Sequence, residues 1–203
     1  MREKAIAAMR TFLEEIGVDL KREDMERTPA RVTELFEFLL RGCQEDPKTI
    51  WGELFSAGTD GLTAVCNIPV YSMCEHHLLP FFGEVHIAYL AKDGRVAGFS
   101  KFGQLVDILA RRPQLQERLT REIAEEIEKG TGADGVLVIC EARQLCMMMR
   151  GEIAPDTKTV TTAALGRLKE DTHLRQEAWR ILEANKKERN RCDGSDQAHV
   201  PME

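Results

Sequence analysis

At 203 residues, with 43% hydrophobic and 31% charged side chains, the chain suits one globular domain with appendages, large enough to hide roughly 70% of its unfolded surface. A net charge of −6 excludes the global basic field that attracts nucleic acid or an acidic membrane, so any anionic small molecule must meet a local cluster of Lys and Arg. No segment approaches the roughly 20 apolar residues of a membrane helix, and the charge-interrupted start "MREKAIAAMRTFLEEIG" lacks the apolar stretch of a secretory signal.

A cytoplasmic location is therefore expected. In that reducing setting the six cysteines read as core residues, metal ligands or reactive thiols. In chain order, Ile6, Met9, Phe12, Leu13 and Ile16 recur at helical spacing up to Gly17. A second helix is capped by Thr28, has Pro29 at its first position, carries an apolar stripe of Val32, Leu35, Phe36, Leu39 and Leu40, and is closed by Gly42. Residues 43–61 carry Pro and Gly and read as a connector. The period then becomes two. Leu62, Ala64, Cys66, Ile68 and Val70 alternate along a strand in which Pro69 argues for an edge or a bulge. Val85, Ile87 and Tyr89 alternate again, and Asp93-Gly94 signals a turn. Residues 100–112 and 114–129 read as two helices broken at Pro113, the second burying Leu115, Leu119, Ile123 and Ile127 and ending at Gly130. "GVLVICEARQLCMMMRG" and "KTVTTAAL" return to strand character, and a last helix runs from Leu168 to Lys187 before a polar tail.

The predicted class is α+β, a β-β-α-α-β-β unit with a four-stranded antiparallel sheet. Its parts are an N-terminal helical region with its connector at 1–60, the core unit at 61–167, and a C-terminal helix and tail at 168–203. The two sheet edges need protection, which makes edge-to-edge assembly plausible.

The chemistry concentrates in "SMCEHHLLP". Catalytic zinc takes three ligands from Cys, His or carboxylate and keeps a fourth position open. Cys74, His76 and His77 are local candidates, and Cys146 in "RQLCMMMRG" is the best distant one. An extended 144–150 segment would turn Gln144, Cys146, Met148 and Arg150 to one side, setting a cation beside the ligand. The bland alternative for these residues is core packing, weakened by the cost of burying an adjacent His-His pair unsatisfied. His86, His173 and His199 read as bystanders, the Met run as core and pocket wall, and Lys186, Lys187, Arg189 and Arg191 as a solvated helix end.

"YSMCEHHLLPFFGEVHIAYL", "GFSKFGQLVDILARRPQLQERLTREIAEEI" and "CEARQLCMMMRGE…KTVTTAALG" together resemble the GTP cyclohydrolase I family over roughly residues 25–166. The resemblance implies a tunnelling fold whose subunits join edge to edge into five-membered rings stacked as a homodecamer, with GTP as substrate and no nucleic acid or membrane partner. It implies zinc held by Cys74, His77 and Cys146, and His76 as a proton-transfer residue. Glu117, with Gln116 beside it, would hold the guanine ring. Arg31 from a neighbouring chain, Lys101 next to Ser100, and Arg150 would hold the triphosphate. By periodicity alone Glu117 is a solvated helix residue. Two positions depart from the family pattern: Gln144 stands where a second catalytic histidine is found, and Gln104 ends "SKFGQ" where an arginine is found. Three readings stay open: a zinc-dependent GTP cyclohydrolase, a related hydrolase acting on another guanine- or pterin-like compound, and a non-catalytic zinc-bearing assembly protein.

Overall fold

The structure, a computed structural model, describes residues 2–22, 24–58, 61–151, 153 and 156–195, with side chains described to residue 184 in the last helix. His199 and the Lys186, Lys187, Arg189 and Arg191 side chains lie outside that range. The N-terminal pair is α1 (Arg2–Glu15) and α2 (Thr28–Leu39). Two 3-10 turns (Arg41–Gln44 and Pro47–Ile50) lead to β1 (Phe55–Ser56), β2 (Leu62–Cys74), β3 (Pro80–Leu90) and β4 (Arg95–Val96). Then come α3 (Ser100–Ala110), β5 (Pro113–Gln114), α4 (Gln116–Thr131), β6 (Gly135–Gln144), α5 (Leu145–Met148) and β7 (Thr159–Gly166). Helices α6 (Arg167–Glu170) and α7 (Thr172–Ser195) finish the chain.

The sheet order is β5-β2-β3-β6-β7, antiparallel throughout except for the two-residue parallel contact of β5 with β2, and β1 pairs with β4 in a separate ribbon. The expected four-stranded sheet is therefore present with a short fifth strand at its edge. The fold is α+β with the β-β-α-α-β-β order of a tunnelling fold. Alternation sorts the side chains of β6. Val136, Val138 and Cys140 face a core with Phe102, Leu105, Leu109, Leu119, Ile123 and Ile127 from α3 and α4. Leu137 and Ile139 face Leu168, Ala178 and Leu182 on the opposite side. Each fully buried aliphatic side chain of this kind contributes on the order of 1.5–3 kcal/mol.

Several local expectations change. The alternation from Leu62 to Val70 is broken by a bulge between Val65 and Ile68, where Asn67 takes φ +58°. One inserted residue reverses the face. Leu62, Ala64 and Cys66 pack on the α7 side, and Ile68 and Val70 join the α3–α4 core. Buried His86 accepts the Asn67 backbone N–H at Nδ1 (3.2 Å), which gives that imidazole a structural task. Arg27, in helical conformation, precedes α2, and Thr28 supplies no cap. Leu35 and Phe38 on α2 stay exposed, as do Phe12 and Ile16 from the first stretch. Gly42 does not close α2. It lies where a Cβ would come within 2.0 Å of the Ile108 carbonyl oxygen, so its role is close approach to α3. The connector is not merely a link, since Ile50 and Trp51 are buried in the main core. The C-terminal helix is interrupted at Asp171, whose Oδ1 accepts the His173 and Leu174 backbone N–H groups and starts α7.

Helix α4 begins one residue later than Leu115, which is its N-cap, and runs past Gly130 to Thr131, with Gly132 in the left-handed region at its end. Gly130 instead faces Trp51, which packs edge-on against Phe102 with ring centroids 5.6 Å apart. A Cβ on Gly130 would sit 1.9 Å from Trp51 Nε1. Overpacking of this kind costs about 1–3 kcal/mol, so Gly130→Ala is expected to lower the thermal midpoint by several degrees in a calorimetric scan. Burial pushes the Cys140 thiol up to about 12. The thiolate is the nucleophile, so at pH 8 a mild alkylating reagent should modify exposed Cys43 and leave Cys140 unmodified until the chain is unfolded, as read by peptide mass spectrometry.

Candidate metal centre and substrate site

Strand β2 ends at Cys74 and β3 begins at Pro80. The turn between them is tight: Cys74 N–H donates to the Leu79 carbonyl (2.9 Å), Leu78 N–H donates to the Cys74 carbonyl (2.8 Å), and Leu78 is held at φ +52°. The end of β6 lies beside this turn because Phe81 pairs with Gln144. Immediately afterwards the chain makes one helical turn, α5, which buries Cys146. The donor atoms of Cys74, His77 and Cys146 all lie within 4.8 Å of one another, with both cysteines buried and His77 exposed. Two sulfurs and one imidazole suit a zinc-like divalent cation with bonds of about 2.0–2.3 Å, and exposure on the His77 side leaves room for a fourth ligand. Among the described residues this is the one Cys/His/carboxylate group with such spacing.

The route to this geometry is not the extended one expected from the sequence. Residues 145–148 are helical, so Gln144, Cys146, Met148 and Arg150 do not alternate on one strand face. Arg150 still reaches the group. Its Nη1 lies 3.4 Å from His77 Nε2. A guanidinium only donates, so that ring nitrogen is the acceptor. Met147 and Met149 are exposed and do not join the core. His76 is 63% exposed at its side chain, with Nε2 3.9 Å from Glu75 Oε1 and its ring edge-on to His77.

Helix α4 presents three successive residues in three directions, as the 100° step of a helix requires. Gln116 points into the fold and is 3% exposed. Its Nε2 donates to the Cys140 and Thr159 carbonyls (3.0 Å each) and to Thr161 Oγ1 (3.2 Å). That commits Nε2 as the donor end, so Oε1 is free to accept from Gln144 Nε2 at 2.7 Å. Glu117 is exposed in the first turn of α4. Arg118 turns towards the Cys74–His77 turn and grips Glu75 with two hydrogen bonds, Nη1 to Oε2 at 2.5 Å and Nη2 to Oε1 at 3.2 Å. This bond, reinforced by the guanidinium charge, holds the Glu75 carboxyl below its ordinary range. Ser100 and Lys101 begin α3, where Lys101 N–H donates to the Gly98 carbonyl. Arg31 is exposed on α2, and its guanidinium makes no hydrogen bond or ion pair with the described residues.

One chain therefore brings together Cys74, His77, Cys146, His76 and Arg150, with Gln144 linked to Gln116. The fold does not carry Arg31 there by any contact within the chain. The sequence reading missed Glu75, Arg118 and Gln114. Their signal was present as charged and amide residues inside "CEHH" and "RPQLQERLT", but a charge on a helix reads as solvated until its partner is known.

A family model described as GTP cyclohydrolase I matches residues 5–183. The chain is 43% identical over 181 residues to GTP cyclohydrolase 1 of Streptococcus agalactiae serotype V, covering 89% of this chain and 97% of that protein. It is 46% identical over 177 residues to GTP cyclohydrolase 1 of Geobacillus kaustophilus, covering 87% and 94%, and 47% identical over 171 residues to that of Streptococcus suis strain 05ZYH33, covering 84% and 91%. Matched over nearly its whole folded length, and carrying the Cys-His-Cys group where two strand ends meet, the chain belongs to the GTP cyclohydrolase I family.

Proposed function

We propose that this protein is a zinc-dependent hydrolase that opens the guanine imidazole ring of GTP at C8, releasing formate and yielding 7,8-dihydroneopterin triphosphate. The observation that carries the reading is the convergence of Cys74, His77 and Cys146 in a chain of this family. Zinc held by these three side chains supplies a Lewis acid and a water activated at neutral pH. The remaining work falls to the chain's own groups. Glu117 accepts two guanine N–H groups, a pattern adenine cannot satisfy without leaving the carboxylate unpaired. Gln116 forms the floor beside it, with its amide nitrogen committed to the sheet. Ser100 and Lys101 at the start of α3 and Arg150 beside His77 hold the phosphates, joined by Arg31 of a neighbouring subunit.

His76 is exposed next to the metal group and moves protons between water and the departing ring nitrogen. Gln144 orients but cannot take and return a proton. The environment of Gln144 nonetheless suits an imidazole: Gln116 Oε1 offers an acceptor for one ring N–H, leaving the other ring nitrogen basic. Gln104, where the family pattern has arginine, leaves one charge-assisted phosphate contact unmade, on the order of 1.5–3 kcal/mol. These two glutamines also favour a second reading, a hydrolase for another guanine- or pterin-like compound with fewer phosphates.

Assembly fits the same picture. The outer edge of β7 has no strand partner among the described residues, and that of β2 is paired only at Met73 and Cys74. Exposed Phe12, Ile16, Leu35 and Phe38 leave an apolar surface on the N-terminal pair. Edge-to-edge rings stacked as a decamer cover both features and bring Arg31 to the site. No helix of the described residues is long and apolar enough to cross a membrane, which accords with a cytoplasmic enzyme.

Purified protein supplied with GTP should release formate and, after oxidation, give a fluorescent pteridine. A flat trace from zinc-loaded protein would exclude GTP as substrate, and turnover of guanosine or another guanine derivative in its place would establish the second reading. Gln144→His is expected to raise GTP turnover by about 10²-fold or more, the usual worth of a general acid–base group. An unchanged steady-state rate would show that the site works through the glutamine.

A further inference from the structure

The metal loop is braced from outside the ligand set. Glu75 lies between the ligand Cys74 and His76, and each end of it is tied to a different element. Its backbone N–H donates to the Gln114 carbonyl at 3.0 Å. Its carboxylate is clamped by both terminal nitrogens of Arg118 at 2.5 and 3.2 Å. The anchors are themselves held. Gln114 is 2% exposed, pairs with Cys74 in the β2–β5 register, and donates its side-chain amide to Leu109 O and Glu122 Oε2. Arg118 sits on α4, whose neighbours Leu119 and Thr120 are fully buried. A bidentate guanidinium–carboxylate pair fixes angle as well as distance. Here it connects a helix whose inner face is buried in the core to the loop that carries two of the three candidate ligands.

We infer that Arg118 and Glu75 form a positioning pair that sets the Cys74–His77 loop for metal binding, touching neither the metal nor the substrate. The inference rests on the metal reading above. Outer partners that orient ligands typically govern metal affinity by 10–100-fold, and loss of a clamp shows first as faster release. The ion pair is partly exposed, with side-chain exposures of 38% for Arg118 and 27% for Glu75, so its removal leaves the core packing of α4 intact.

The test is zinc release to a chromogenic chelator from the zinc-loaded full chain, with the thermal midpoint of the metal-free protein measured alongside. Arg118→Met and Glu75→Gln should each speed release about 10-fold or more, with the metal-free midpoint little changed. The double variant should release no faster than the worse single, because both changes remove one interaction. Arg118→Lys, which keeps the charge but loses the fork, should recover part of the retention. Arg121→Met is the control: Arg121 is on the same helix, pairs with Glu125, and should release zinc at the wild-type rate. Wild-type release from both single variants overturns the pairing, as does multiplicative acceleration in the double variant. A wild-type chain that takes up no zinc overturns the metal reading and this inference with it, and is told apart from the other outcomes by the wild-type trace alone.

Discussion

The antiparallel register of β2, β3 and β6 is the constraint on which the site depends. β2 and β3 are joined by the turn that carries Cys74 and His77, and the pairing of Phe81 with Gln144 brings the end of β6 to the same place. Cys146 follows two residues later. A slip of one residue in the β3–β6 pairing would move Cys146 by about 3.3 Å and turn every side chain of β6 to the other face. The buried sets on either side of β6, Val136, Val138 and Cys140 on one and Leu137 and Ile139 on the other, forbid that slip. The hydrophobic core thus acts at a distance as the aligner of the Cys74, His77 and Cys146 group.

Helix α4 adds a second layer of alignment with polar groups. Gln116 reaches across to the carbonyls of Cys140 and Thr159, and Thr120 Oγ1 lies 2.6 Å from Thr161 Oγ1. Buried polar groups demand partners, and here one partner lies on β6 and two on β7, so the bonds lock α4 to both strands. The same helix then offers Glu117 to solvent and Arg118 to the metal loop. Its inward side is committed to the sheet, and its outward side is left to solvent and to the Cys74–His77 turn.

The two departures from the family pattern sit differently in this frame. Gln144 is integrated, since its amide nitrogen donates to Gln116 and the position keeps a hydrogen-bonding role even without a titratable ring. Gln104 is on exposed α3 surface and nothing in the single chain explains it. An amide at 144 can donate and accept hydrogen bonds but has no titratable ring, so what this position does in the chemistry is a matter for the turnover of the substituted protein.

Much of this was legible in the chain. Alternation marked β2 and β3, though a bulge splits the face read from Leu62 to Val70; strand character marked β6 and β7, the period-3.6 stripe of Leu119, Ile123 and Ile127 marked α4, and the long ordered motifs carried the family and the Cys74, His77 and Cys146 set. What the residues alone determined was composition, period and motif, because these are local and repeat every two or four positions. Other features required the tertiary structure. The bulge at Asn67 is met by His86 across the strand pair, Gly42 and Gly130 admit close neighbours, and residues 145–148 make a helical turn that buries Cys146. The partner of Arg118 lies 43 positions away. A charge, a glycine or an amide has no periodicity to betray its partner, so only the folded chain, by choosing which distant groups touch, decided what each of them does.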